Sequence, residues 1–86
     1  MKIEFSESAL QDFQYFKKNN FPEYVKIKKL LGNIIETPFL GLGKPEKLKE
    51  NLKGYYSRRI TKEHRLVYSV SENVITVASC RYYYSK

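Results

Sequence analysis

Lys44-Pro45-Glu46-Lys47-Leu48-Lys49-Glu50-Asn51-Leu52-Lys53-Gly54-Tyr55-Tyr56-Ser57-Arg58-Arg59-Ile60-Thr61-Lys62-Glu63-His64-Arg65 divides at Gly54 into two kinds of sequence. Before the glycine, lysines crowd around one proline and a carboxylate, Glu46, which reads as a loop with room for one short helical turn. After it, β-branched and aromatic residues take over. Residues 55–60, 65–70 and 74–81 predict three strands, joined through residues 61–64 and 71–73, both short enough for hairpins.

Upstream the pattern is helical. Lys2-Ile3-Glu4-Phe5 alternates polar and apolar and predicts a short strand. Ser6 is placed to cap a helix, with Glu7 in its first turn facing the positive end of the helix dipole. Ala9, Leu10, Phe13 and Phe16 recur at helical spacing, and that helix should stop near residues 18–20. Pro22 suits the first turn of a second helix with Ile27, Leu30, Leu31, Ile34 and Ile35 as its apolar stripe. Gly32 inside this helix suggests close packing between helices. Thr37-Pro38 ends it, because a residue before proline avoids helical geometry. The order β-α-α-β-β-β predicts an α+β fold, an antiparallel sheet with two N-terminal helices packed on one face.

With 86 residues the chain has material for one domain, residues 1–86, and one core. No apolar run approaches the roughly 20 residues of a membrane helix, and the N-terminus lacks a signal-peptide pattern. One cysteine, Cys80, allows no internal disulfide, so the cytoplasm is the expected compartment.

The formal net charge is +7, and it is unevenly spread. Residues 1–43 hold six lysines against five acidic residues, whereas residues 44–86 hold ten Lys and Arg against four glutamates. All four arginines (Arg58, Arg59, Arg65, Arg81) lie in the second half. The planar guanidinium fork matches phosphate, so this half is the expected polyanion-binding side. One Cys, one His and one Asp supply no metal-ligand spacing, and no metal or other cofactor is expected. Gly41-Leu42-Gly43 is too short for a phosphate cradle.

What remains suits acid/base cleavage of a phosphodiester. Cutting RNA this way requires a base for the 2′-hydroxyl, cations for the charge growing on phosphate, and an acid for the leaving 5′-oxygen. Glu46 is the candidate base, and Arg59 and Arg65 the candidate phosphate clamps. Lys49 can add a contact. Tyr82, Tyr83 and Tyr84 can stack on bases or donate protons, although aromatic residues ending a chain more often cap a core. If the first hairpin places Thr61 opposite Arg65, then Arg59 opposes Val67 and the two arginines share a face. Tyr56, Ile60, Leu66, Tyr68 and Val70 then face the helices, and Arg58 would have to reach out at the sheet edge. His64 reads as a turn residue, and Cys80 as a small buried hydrophobe.

The string Ser57-Arg58-Arg59-Ile60-Thr61-Lys62-Glu63-His64-Arg65-Leu66-Val67-Tyr68 resembles the YoeB toxins of the RelE/ParE superfamily. Gly41-Leu42-Gly43-Lys44-Pro45-Glu46, Leu48-Lys49 and Cys80-Arg81-Tyr82 resemble them too, and the likeness spans nearly the whole chain. It implies a toxin of a type II toxin–antitoxin pair that cleaves mRNA in the ribosomal A site and stops translation. The implied partners are a YefM-like antitoxin, the ribosome and mRNA, with operator DNA reached only through the antitoxin complex, and with a homodimer as a possible assembly.

By position, the resemblance implies Glu46 as general base, Arg65 as transition-state stabiliser and Tyr84 as a catalytic residue positioning RNA. Lys49, Arg59, Arg58 and Arg81 become the RNA-binding set. The family's usual general acid is a histidine where this chain has Tyr83. An ordinary tyrosine titrates near pH 10 and an ordinary histidine near about 6.5, so Tyr83 is the weaker acid at neutral pH. Either Tyr83 donates the proton, or the chain is an attenuated or non-catalytic homologue that binds ribosome and antitoxin.

Overall fold

The computed structural model describes residues 1–82. Strand β1 (Lys2–Phe5) leads through Ser6 into helix α1 (Glu7–Asn19). The Ser6 Oγ accepts the Ala9 amide at 3.1 Å and donates to the Ala78 carbonyl at 2.9 Å, so the cap also fastens the helix to the sheet. Asn20 separates α1 from α2 (Phe21–Glu36), and Pro22 stands in the first turn of α2. The buried stripes are Ala9 and Phe16 on α1 and Ile27, Leu30, Leu31 and Ile34 on α2. Leu10 and Ile35, expected among them, lie at the edge of the stripe and are exposed.

Beyond α2 the chain forms β2 (Glu46–Lys47), a 3-10 turn (Glu50–Leu52), β3 (Tyr56–Arg59), β4 (Arg65–Ser71) and β5 (Val74–Ser79). The sheet order is β1-β5-β4-β3-β2. Successive pairs from β2 to β5 are antiparallel, as expected, but β1 lies parallel to β5, so the sheet is mixed. A helical hairpin followed by four alternating strands leaves β5 running in the direction of β1, which pairs beside it at the edge.

Helices α1 and α2 cover one face, where Phe16, Ile27, Leu30 and Ile34 pack with Ile60, Leu66, Tyr68, Ile75, Val77 and Cys80. Cys80 is the buried hydrophobe expected of it. Its Sγ lies 3.4 Å from the Ala9 carbonyl oxygen, and burial, with Asp12 adding repulsion, pushes the thiol up to about 12. A thiolate nucleophile at Cys80 is therefore absent at neutral pH.

The β3–β4 hairpin departs from the expected register by two residues. Arg59 opposes Arg65, and residues 60–64 form a wider loop. The Thr61 hydroxyl accepts the amides of Glu63 and His64 at 3.2 and 3.1 Å, which holds the loop open. A shift of two keeps every side chain on its expected face. The β4–β5 hairpin is tighter, with Glu72 and Asn73 both at positive φ, as a two-residue primed turn requires.

Gly32 does not mark close helix packing. It is exposed, and a Cβ built there meets nothing within 4 Å. Gly32→Ala is therefore expected to stabilise the protein by about 0.5–1 kcal/mol, through helix propensity alone. Urea or thermal midpoints of the two proteins test this, and an unchanged or lower midpoint would contradict it.

Candidate active site

Cross-strand neighbours share a face, so the ladders sort the functional side chains into two sets. Glu46 opposes Ser57, Ser57 opposes Val67, and Arg59 opposes Arg65. These five point away from the helices. Lys47, Tyr56, Arg58, Leu66 and Tyr68 alternate with them and point to the helix side. Glu46 sits diagonally from Arg59, which ladder geometry places roughly 7–8 Å away between Cα atoms. Arg65 lies one strand further, roughly 12 Å from Glu46 by strand spacing and rise. The ladders thus put all three on one face, within the reach of long side chains of one another.

The three residues are held differently. Glu46 and Arg59 are exposed. Arg65, on the central strand, is only 9% exposed, and its guanidinium donates to the carbonyls of Thr61, Lys62 and His64 at 2.7, 3.3 and 3.1 Å. The hairpin loop thus aims this cation. Lys49 is exposed at the start of the 3-10 turn and shares with Glu46 a pocket of about 270 Å³ lined by residues 46–52. A second pocket of about 300 Å³ on the same segment is lined by Lys47, Leu48, Lys49, Glu50 and Lys53. Leu48 and Val67 are buried yet lie outside the helix-side cluster.

Arg58 is not an RNA contact. It is fully buried, pointing inward from β3 rather than reaching out at the sheet edge. All five of its N–H groups are used: Nε donates to the Tyr68 hydroxyl, Nη1 to Asn33 Oδ1 and the Leu42 carbonyl, and Nη2 to the carbonyls of Thr37 and Leu40. The Tyr68 hydroxyl in turn donates to the Pro38 carbonyl at 2.6 Å. Burial raises the Tyr68 phenol, and Arg58 beside it pulls the other way without cancelling the rise. Asn33 Oδ1 also accepts the Leu42 amide at 3.0 Å.

This network fixes residues 37–43, the segment that delivers Glu46. Gly41 (φ +113°) has no space for a side chain, since a Cβ there would stand 2.3 Å from Asn33 Oδ1. Gly43 (φ +81°) passes so close to β3 that its carbonyl accepts the Arg59 amide at 2.7 Å. The pair of glycines that carries no phosphate cradle is there to close the loop onto β3.

Arg81 is likewise committed elsewhere. Its guanidinium lies over the Tyr15 ring at 3.9 Å and 3.9 Å from the Asp12 carboxylate, both on α1, so it faces the helix side and not the Glu46 face. Tyr83 and Tyr84 lie outside the described residues. Ser57, opposite Glu46 and on the same face as Arg59, is a buried neighbour of this set that the sequence reading did not single out. Strand alternation alone signals it, because it shares parity with Arg59. His64 lies in the loop as expected, but it is buried there, and its Nδ1 accepts the Tyr82 amide at 2.8 Å. Among the described residues, no group of three His, Cys, Asp or Glu side chains could hold a metal ion, and no helix is long and apolar enough to cross a membrane.

Sequence and structure comparison places this fold in a known family. The pattern of the family described as YoeB-like toxin of bacterial type II toxin-antitoxin system matches residues 5–84. The chain belongs to this family. Toxin YoeB of Escherichia coli K12 is 46% identical over 84 residues, covering 98% of this chain and all of that one. The YoeB chain in a heterotetrameric YoeB–YefM toxin–antitoxin complex from Staphylococcus aureus superimposes with a TM-score of 0.91 at 52% identity, with 98% of each chain covered. A YoeB dimer from the same organism gives a TM-score of 0.92, also at 52% identity and 98% coverage of both chains. The protein is a YoeB-type toxin of a toxin–antitoxin system, with the α+β architecture of that group.

The Arg58 network sets a stability test. Arg58→Met strands several inward-facing oxygens, each costing about 1–3 kcal/mol when buried and unpaired, so a loss of about 3 kcal/mol is expected in urea unfolding. Arg58→Lys keeps the charge but offers fewer donors without the fork, and should recover only part of that loss. A methionine variant as stable as wild type would show that the loop does not depend on this side chain.

Proposed function

We propose that this toxin is a ribosome-dependent endoribonuclease that cleaves mRNA in the A site and thereby halts translation. The observation that carries the reading is the placement of Glu46, Arg59 and Arg65 on the face of the sheet that the helices leave uncovered. In this mechanism Glu46 removes the proton from a ribose 2′-hydroxyl. The 2′-oxygen forms a bond to the adjacent phosphorus, the bond from phosphorus to the 5′-oxygen breaks, and a 2′,3′-cyclic phosphate is left. Tyr83 gives the departing 5′-oxygen its proton. Arg65 and Arg59 stabilise the extra negative charge on the phosphoryl oxygens, and Arg65 does so from a preset direction because the hairpin carbonyls hold it. Lys49 draws in the backbone on the side of the Glu46 pocket, and Tyr84 positions the RNA.

The working compartment is the cytoplasm, where ribosomes are found. A YefM-like antitoxin is the neutralising partner, supported by the YoeB–YefM complex to which the chain is similar. Contact with operator DNA comes through that antitoxin complex. The similar YoeB dimer supports a homodimer of the free toxin.

Mapping cut sites on ribosome-bound mRNA after induction tests the mechanism. Glu46→Ala should lower cleavage by about 10²–10⁴-fold while ribosome binding persists. Equal cleavage by this variant would remove Glu46 as base, and a wild type that binds without cutting would mark the chain as the attenuated homologue. Tyr83→His should raise cleavage at neutral pH. No gain would mean that position 83 does not supply the proton.

A further inference from the structure

His64 ends the β3–β4 loop with only 8% of its surface exposed. Its ring stands edge-on to Phe16 of α1 at 5.1 Å and tilted to Tyr82 at 5.3 Å between centroids. Its Nδ1 accepts the backbone N–H of Tyr82 at 2.8 Å. A backbone amide can only donate, so Nδ1 must present a lone pair and the ring proton sits on Nε2. On the other side of the ring, Nε2 lies 3.7 Å from the largely exposed Glu63 carboxylate, beyond hydrogen-bond distance.

The next residue completes the grip. The Arg65 amide donates to the Tyr82 carbonyl at 3.1 Å. Consecutive residues His64 and Arg65 therefore hold both backbone polar groups of Tyr82. That residue has φ +61°, in the left-handed region that a side chain other than glycine rarely enters without compensation. Tyr82 runs directly into Tyr83 and Tyr84 in sequence.

We infer that His64 is a positioning residue, whose Nδ1 fixes the backbone of Tyr82, the residue that precedes Tyr83 and Tyr84 in sequence. The inference rests on the catalytic reading of those two tyrosines. It assigns the Glu-His-Arg sequence at 63–65 a divided task. Arg65 addresses the phosphate with its side chain and the Tyr82 carbonyl with its amide, while the His64 ring accepts the Tyr82 amide.

Two substitutions separate the atoms involved. In His64→Asn the amide oxygen occupies the place of Nδ1 and can still accept the Tyr82 amide. In His64→Gln the terminal group occupies the place of Nε2, and that acceptor is lost. The glutamine variant should lose up to about 100-fold in kcat, the scale of an ångström-level misplacement, with KM for ribosome-bound mRNA unchanged. The asparagine variant should restore most of the rate. Imidazole ¹⁵N shifts of the wild type should show an unprotonated Nδ1, and the Tyr82 amide should be protected from hydrogen exchange in the wild type and the asparagine variant only.

A proton on Nδ1 in the wild type overturns the inference, as does equal kcat for two folded variants. If the glutamine variant fails to fold, the asparagine variant decides, and a deep kcat loss there with the Tyr82 amide still protected also overturns it. Absence of cleavage by every protein, wild type included, would instead refute the nuclease reading and the positioning role with it.

Discussion

A guanidinium sealed inside the protein, with no carboxylate beside it among the described residues, holds together the half of the fold that carries the candidate site. Taking Arg58 out of water is costly, and only a full set of hydrogen bonds offsets that cost. Its partners are a tyrosine hydroxyl, an asparagine side chain and three loop carbonyls, so the side chain joins β3, β4, α2 and residues 37–42 at one point. Those carbonyls belong to a segment whose apolar side chains, Phe39, Leu40 and Leu42, are largely exposed and supply little burial of their own. The loop is therefore ordered by polar contacts rather than by a hydrophobic seat. Phe39 adds one ring contact, 4.8 Å from Tyr56.

This anchoring decides how the functional face is built. Glu46 lies on a strand of two residues at the edge of the sheet, too short to fix its own position. Its placement comes from both sides, through pairing with Ser57 downstream and the Gly43 bond to Arg59 upstream. Arg65, by contrast, starts the central strand and is held by neighbours on every side. The candidate base thus stands on a tethered loop and the candidate phosphate clamp on the rigid scaffold, a division common where a flexible ligand must be admitted and then aligned.

Much of this was legible in the sequence wherever the deciding interactions are local. Ser6 as a cap, Pro22 at a helix start and the switch to strand pattern after Gly54 all depend on neighbours a few residues away. The direction and partner of β1 depend on β5, more than seventy residues later, and no local pattern carries that information. The shared face of Arg59 and Arg65 survived a wrong register because the error was two residues, the period of a strand. Arg58 was expected at the sheet edge and is interior instead. Charge is a good guide to exposure only on average, and a cation can be interior when its partners are carbonyls or aromatic rings. His64 is the turn residue it reads as, but its burial and its bond to Tyr82 were not legible, because the amide it accepts is eighteen positions away.

The alternation along β3 has a consequence for how the strand finds its pairing. Arg58 is interior and Arg59 exterior, yet the two are chemically identical and adjacent. Sliding the strand by one position would still put one arginine inside and one outside, so the doublet contributes nothing to choosing between the two alignments. The choice falls to the residues bracketing it. Tyr56 and Ile60 would be turned to water and Ser57 into the apolar layer by such a slip. Specification of the sheet in this half thus rests on the aromatic and aliphatic neighbours of the basic doublet, leaving the arginines themselves to be chosen by anchoring on one side and by chemistry on the other.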